Sequence, residues 1–456
     1  MFLGRTSELS YLEQRYQKQG SQMIVAYGQK NVGRTALLRE FAKDKPFVFF
    51  SARSCSGKEQ RYLWSGELDT TGNLSEKYPS YSELFLLISE NSARKVVLVI
   101  DEFQNVVKND PDFIKELTAF LRNQGQTHEI FVILSSSSVG FVENNLVSKI
   151  GEAALLISGF LKIKELRFSH LREYFSGYSI KECLEMYAVL GGFPGLWACI
   201  DKNLTVKENI MNLFLGRNGI LSREALFYVE NELRETSVYF TILESLASGK
   251  QKLNDLFLHT DFCRAKISVY IKNLMELELV EKVFSYDTEG KSNTQKGVYR
   301  IQIPLVNFYF SFIYPYLSKL ETMLPEEFYD CYIAPQYRFF VDPAMRKMCL
   351  EQLGHLNETG GLPIRYVKNG EWVGKIGTID IVAQDAEGHT LIALCNYEKK
   401  LLTVDDYDWL IFLAKKAKLE PLVVYLYTVG GFDESLKKMA DNDSRIRLIS
   451  LKESRV

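Results

Sequence analysis

The stretch Gln22-Met-Ile-Val-Ala-Tyr-Gly-Gln-Lys-Asn-Val-Gly-Arg-Thr35 leaves this chain few folds to choose from. Its apolar run predicts a strand, Gly28 and Gly33 frame four residues, and a helical pattern follows from Ala36 to Lys43. In the GxxxxGK[ST] spacing, backbone N–H groups curl around a phosphate at a helix N-terminus, and the closing hydroxyl reaches Mg²⁺. The expected phosphate contacts are Gly28, Gln29, Lys30, Asn31, Val32, Gly33, Arg34, Thr35 and Ala36, with Thr35 also a metal ligand. One letter departs from the pattern, because Arg34 stands where lysine is wanted. A guanidinium is bulky, planar and permanently charged; it pairs with phosphate but places no compact ammonium between the β and γ groups. The expectation is nucleotide binding with impaired hydrolysis.

The next segments keep alternating strand and helix. Pro46–Ser51 predicts a second strand, Ser80–Glu90 a helix, and Lys95–Asp101 an apolar strand buried on both faces. That strand ends in Asp101 and Glu102, the Walker B pattern, where Asp101 would hold the Mg²⁺ shell and Glu102 would orient or deprotonate the attacking water. A helix over 111–124 and a strand over 130–134 lead into four serines, Ser135–Ser138, placed where an open α/β sheet keeps its ligand. Motif order and context together predict a P-loop NTPase domain with a parallel sheet over residues 1–165.

Beyond it the pattern changes. Helices and a Gly191-Gly-Phe-Pro-Gly195 turn predict a helical lid over 166–235. Three short helices and two strands over 236–305 follow winged-helix order, with Arg264, Lys266 and Lys272 on the third helix and Lys291 and Lys296 on the wing. Asp255, Asp261, Glu276, Glu278 and Glu281 oppose DNA binding there, so a packing role is favoured. An aromatic-rich connector over 306–331 and a second α/β domain over 332–456 complete the chain. With 456 residues, several cores are needed. A net charge of −2 gives no global pull toward nucleic acid or anionic lipid. Seven scattered cysteines without a CxxC pair, and no spanning or leader-like segment, predict a reduced, cytoplasmic setting with no membrane contact.

These residues carry a resemblance. Phe2-Leu-Gly-Arg5 with Glu8-Leu9, the glycine-framed loop, Ile100-Asp-Glu-Phe-Gln104, Gly191-Gly-Phe-Pro194, Tyr299-Arg-Ile301 and Ile379-Asp-Ile-Val-Ala383 occur in an order similar to that of the archaeal and bacterial STAND/AAA+ P-loop ATPases. Those proteins end in a domain of unknown function similar to the restriction-endonuclease, PD-(D/E)xK, fold. The resemblance implies ATP or ADP with Mg²⁺, Gly4 and Arg5 near the adenine, and Pro194 closing over the base. It also exposes losses. In the endonuclease-like domain Asp380 remains, but Arg346 takes the helix acid's place, Leu394 the second metal-binding acid's and Asn396 the lysine's. Glu398, Lys399 and Lys400 lie past the strand end. The implied function is a nucleotide-dependent switch with slow or no hydrolysis, acting through a protein partner or homo-oligomer. The alternatives are an ATP-dependent DNA-processing protein with an active nuclease domain and a winged-helix DNA-binding regulator.

Overall fold

The fold is described from a computed structural model, in which residues 2–68, 78–90, 92, 94–123, 129–216, 219–288 and 297–452 are described. The chain divides into two compact units, Met1–Glu165 with Phe193–Gly195, and Leu166–Gly192 with Leu196–Val456.

The first unit is built on five parallel strands: β1 (Gln22–Tyr27), β2 (Phe47–Ser51), β3 (Val96–Asp101), β4 (Ile130–Ser136) and β5 (Ile157–Lys162), in the order β2-β3-β4-β1-β5. The three central strands are apolar and almost wholly buried, as expected where helices cover both faces of a parallel sheet. One face packs Phe50, Trp64, Tyr81, Phe85, Phe113 and Phe120 against the sheet. Phe50 and Trp64 stack with centroids 4.6 Å apart. Because all strands run the same way, the residues following Tyr27, Asp101 and Ser136 emerge at one sheet edge. β4 lies between the glycine-loop strand and the acidic strand, which sets its serines between the two motifs.

Within the second unit, helices Phe168–Tyr174 and Ile180–Leu190 come first, the latter started by a Ser179–Glu182 capping box. Helices Thr236–Ala247, Leu253–Thr260 and Arg264–Glu276 precede an antiparallel pair, β6 (Val280–Val283) and β7 (Val298–Ile301). Lys291 and Lys296 lie outside the described residues. A 26-residue helix, Ala334–Thr359, carries Pro343 inside it. It lies against a mixed sheet made of β8 (Lys368–Val373), β9 (Thr378–Gln384), β10 (Thr390–Asn396), β12 (Pro421–Thr428) and β14 (Ile446–Ser450), in the order β14-β12-β10-β9-β8. β11 (Leu401–Leu402) and β13 (Gly431–Phe432) pair separately. The residues after β6 join this sheet: Tyr286 donates its N–H to the Glu371 carbonyl at 2.6 Å, and Val373 N–H donates to Ser285 Oγ at 3.0 Å. Tyr286 is accordingly part of the same buried cluster as Ile379, Ile392, Leu410 and Leu426. Among the described residues, no helix is long and apolar enough to cross a membrane.

Candidate functional site

The loop between β1 and helix Arg34–Ala42 turns through two left-handed residues, Asn31 at φ 63° and Gly33 at φ 92°. Gly33 is the helix N-cap and leaves the first turn without a side-chain cap, so the helix opens toward the loop with its backbone donors. Gly28 has to be glycine for another reason, since a Cβ there would sit 2.2 Å from the Ile163 carbonyl oxygen. Arg5, almost fully buried, donates to the Val32 carbonyl at 2.8 Å and pairs with Glu8 at 2.8 Å, holding the loop from behind. The preceding Gly4 is left-handed, at φ 63°. From the other side the Gly195 N–H donates to the Asn31 carbonyl at 2.9 Å, and the Pro194 ring would lie 3.2 Å from a Cβ on Gly33. Pro194 and Arg5 are thus brought to the glycine-framed loop itself.

Arg34 turns inward and is 7 % exposed. Its Nη1 donates to the Gly28 carbonyl at 2.7 Å, its Nη2 to Glu102 Oε1 at 2.7 Å, and its Nε to Ser135 Oγ at 3.3 Å. Nη2 also lies 3.6 Å from Asp101 Oδ1. Glu102, itself left-handed at φ 51°, receives three further hydrogen bonds on Oε2: from Gln104 Nε2 at 2.6 Å, Ser137 Oγ at 2.7 Å and Ser137 N–H at 3.1 Å. Burial raises its pKa, but the Arg34 charge and the Gln104 and Ser137 donors outweigh it, so the net shift is downward. Asp101 goes the opposite way, because burial outweighs Arg34 and the Ser135 hydroxyl, which donates to Oδ1 at 2.6 Å. Gln104 reaches Glu102 while its own buried Oε1 finds no partner among the described residues. Thr35, half-buried in the first helical turn, and Asp101 supply hard oxygen donors of the kind that suit Mg²⁺. Lys30 is half-buried in the loop and Ala36 is exposed.

The glycine-framed loop, Gly4, Arg5, Asp101, Glu102, Pro194 and the Ser135–Ser138 run were legible in the sequence as parts of the site, whereas the contacts of Gln104 and the close approach of Ile163 were not. What it did not show is that Arg34 reaches across to Glu102, or that Ser135 at the end of β4 and Ser137 just beyond it each hold one of the two carboxylates.

The second expected site lies in the other unit. Arg346, on helix Ala334–Thr359, is paired through Nη1 with Glu371 Oε2, and its Nε lies 3.8 Å from Asp380 Oδ1. Arg300 grips the same carboxylate with two bonds, at 2.6 and 3.0 Å. Asp380 accepts the Cys395 N–H at 2.8 Å; burial raises its pKa against the pull of Arg346 and of that bond. Leu394 packs on the apolar cluster, and Asn396 Oδ1 accepts the Lys399 N–H at 2.8 Å. Glu398 pairs with Arg338 at 3.0 Å and Lys399 with Asp406 at 2.5 Å, so neither turns back to Asp380. Glu371 was missed because Lys-Asn-Gly-Glu is too polar to read as a strand. On the third helix of the 236–301 block, Arg264 is taken up by Asn254 and the Phe257 ring, and Lys272 lies 3.7 Å from Glu276.

Residues 2–198 match the model of an ATPase domain predominantly from Archaea, and residues 309–407 match a family of archaeal and bacterial proteins of unknown function. An uncharacterized protein of Methanocaldococcus jannaschii is 25% identical over 415 residues, 89% of this chain and 87% of that protein. An uncharacterized ATP-binding protein of the same organism is 36% identical over 45 residues, 10% of this chain and 76% of that protein. The Walker-type ATPase of Pyrococcus abyssi superposes with a TM-score of 0.49 at 17% identity, covering 68% of this chain and 96% of that one.

Proposed function

We propose, from the match of residues 2–198 to an ATPase domain predominantly from Archaea, that the protein is a nucleotide switch that holds ATP or ADP with Mg²⁺ and hydrolyses it slowly. The left-handed turns at Asn31 and Gly33 and the uncapped start of helix Arg34–Ala42 support phosphate binding. Thr35 and Asp101 would hold Mg²⁺, which neutralises phosphate charge when bound.

The observation that carries the slow step is the state of Glu102. A carboxylate that already takes four hydrogen bonds, one from a guanidinium, has little acceptor capacity left for a water. Its lowered pKa makes it a weaker base as well. Arg34 supplies the charge of the missing lysine but spends it on Glu102 and the Gly28 carbonyl.

We read the 236–301 block as a winged-helix module used for packing, with Ser285 and Tyr286, just after β6, joined to β8. The 334–450 domain is, in this reading, a nuclease-like fold whose metal position is filled by Arg346; the arginine between Glu371 and Asp380 argues against two-carboxylate metal chemistry there. The test is calorimetric titration of the full chain with ADP and ATP in Mg²⁺. Saturable binding is expected, with loss in Gly28→Ala, whose Cβ has no room. Absence of binding in the unaltered protein would end the proposal.

A further inference from the structure

The helix Val404–Lys416 buries Leu410, Leu413 and Ala414 and turns a different stripe outward: Asp405, Asp408, Trp409, Phe412, Lys415 and Lys416 are all exposed. At helical spacing, positions 405, 409, 412 and 416 follow one line on the surface. Trp409 is 49% exposed and Phe412 39%, with their rings stacked at 5.4 Å. Ile376, 50% exposed, precedes Gly377, on which a Cβ would lie 3.5 Å from the Trp409 ring. The apolar patch therefore continues off the helix onto the neighbouring turn.

Acidic and basic ends flank the aromatics. Of the three aspartates near the start, Asp406 is used within the chain, capping Thr403 and pairing with Lys399. Asp405, Asp408 and Lys415 make no side-chain hydrogen bond or ion pair among the described residues, and Lys416 touches only the Phe412 ring, 5.2 Å from its centroid. The helix dipole by itself favours acids early and lysines late, but it gives no reason for two large rings to face water between them.

We propose that this face is a docking surface for a second copy of the same chain, packed antiparallel about a two-fold axis crossing the helix between Leu410 and Ile411. The register follows from the spacing. That one axis sets Trp409 against Phe412 of the second copy and Asp405 against its Lys416, and each pair occurs twice by symmetry. A face that is acidic at one end, basic at the other and aromatic at the centre is self-complementary only in this antiparallel sense. Two helices so arranged approach to ~8–10 Å, a distance at which ring and ammonium both reach across. The contact centres on one short helix and its neighbouring turn, so the dimer is weak and concentration-dependent.

The experiment is sedimentation velocity on the full chain over a concentration series, with circular dichroism confirming the fold of each variant. Reversible dimerisation is expected. The pairs Asp405→Lys with Asp408→Lys, and Lys415→Glu with Lys416→Glu, should each weaken it more than tenfold, because like charges then meet at both ends. An equimolar mixture of the two variants should associate again as a heterodimer, and Trp409→Ala should weaken every combination. A wild-type chain that stays monomeric throughout, a dimer indifferent to charge reversal, or a mixture that does not recover would each overturn the proposal.

Discussion

Exchanging Arg34 for lysine keeps one positive charge in the loop and removes the fork that holds Glu102. The guanidinium now serves Glu102 and the Gly28 carbonyl at 2.7 Å each, with a weaker contact to Ser135 at 3.3 Å. A compact ammonium, without the planar fork of the guanidinium, serves one of these well and not all three. A hydrogen bond to a charged group contributes roughly 1.5–3 kcal/mol, so releasing Glu102 removes about 2 kcal/mol of stabilisation from its unproductive state. If that free energy is part of the hydrolytic barrier, the single-turnover rate of ATP cleavage rises roughly thirtyfold in Arg34→Lys. Rapid-quench assays with enzyme in excess of ATP measure this directly. The gain should vanish when Glu102→Gln is added, since the released carboxylate is its source. A cleavage rate unchanged or lowered in Arg34→Lys, in protein that still binds nucleotide, would refute the latch.

Two other predictions concern the second unit. Glu371→Gln leaves Arg300 and Arg346 facing each other without their shared counter-charge, and the cost expected in chemical denaturation is about 3 kcal/mol; a loss within measurement error would show that solvent screens the cluster. Asp342 has its carboxyl pushed up to about 6 by burial and then by the charge of Asp380. The folded chain therefore holds that proton more tightly than the unfolded one, and stability falls as pH rises from the ordinary aspartate range through about 6. Asp342→Asn should flatten that slope and add about 1 kcal/mol at neutral pH once solvent screening is allowed for, which a pH series of unfolding curves tests.

The sequence was most legible where burial is total. β1, β3 and β4 are uninterrupted apolar runs because parallel strands under helices have no wet face. β5 was not anticipated: Ile-Ser-Gly-Phe-Leu-Lys lies at the sheet edge, half-buried along most of its length, and lacks both a continuous apolar run and strict alternation. β8 is hidden for a related reason, since Lys-Asn-Gly-Glu-Trp-Val offers no apolar run, and Glu371 goes unnoticed with it. The full length of helix Ala334–Thr359 is not legible in the sequence, since a proline such as Pro343 ordinarily marks a helix limit. At the candidate site, residue types were readable and directions were not. Arg34 stood out as a substitution, but its contact with Glu102 spans 68 positions and depends on β4 lying between the two motifs. No spacing rule encodes that placement.

The central claim is that this chain keeps a nucleotide rather than consuming it. The direct measurement is to incubate the purified full chain with ATP and Mg²⁺, separate protein from free nucleotide, and identify chromatographically what remains bound over time. The account predicts bound nucleotide with intact ATP persisting through many typical ATPase turnover times, and faster conversion to ADP in Arg34→Lys. Rapid multiple-turnover release of phosphate by the unaltered protein, lost in Glu102→Gln, would contradict it.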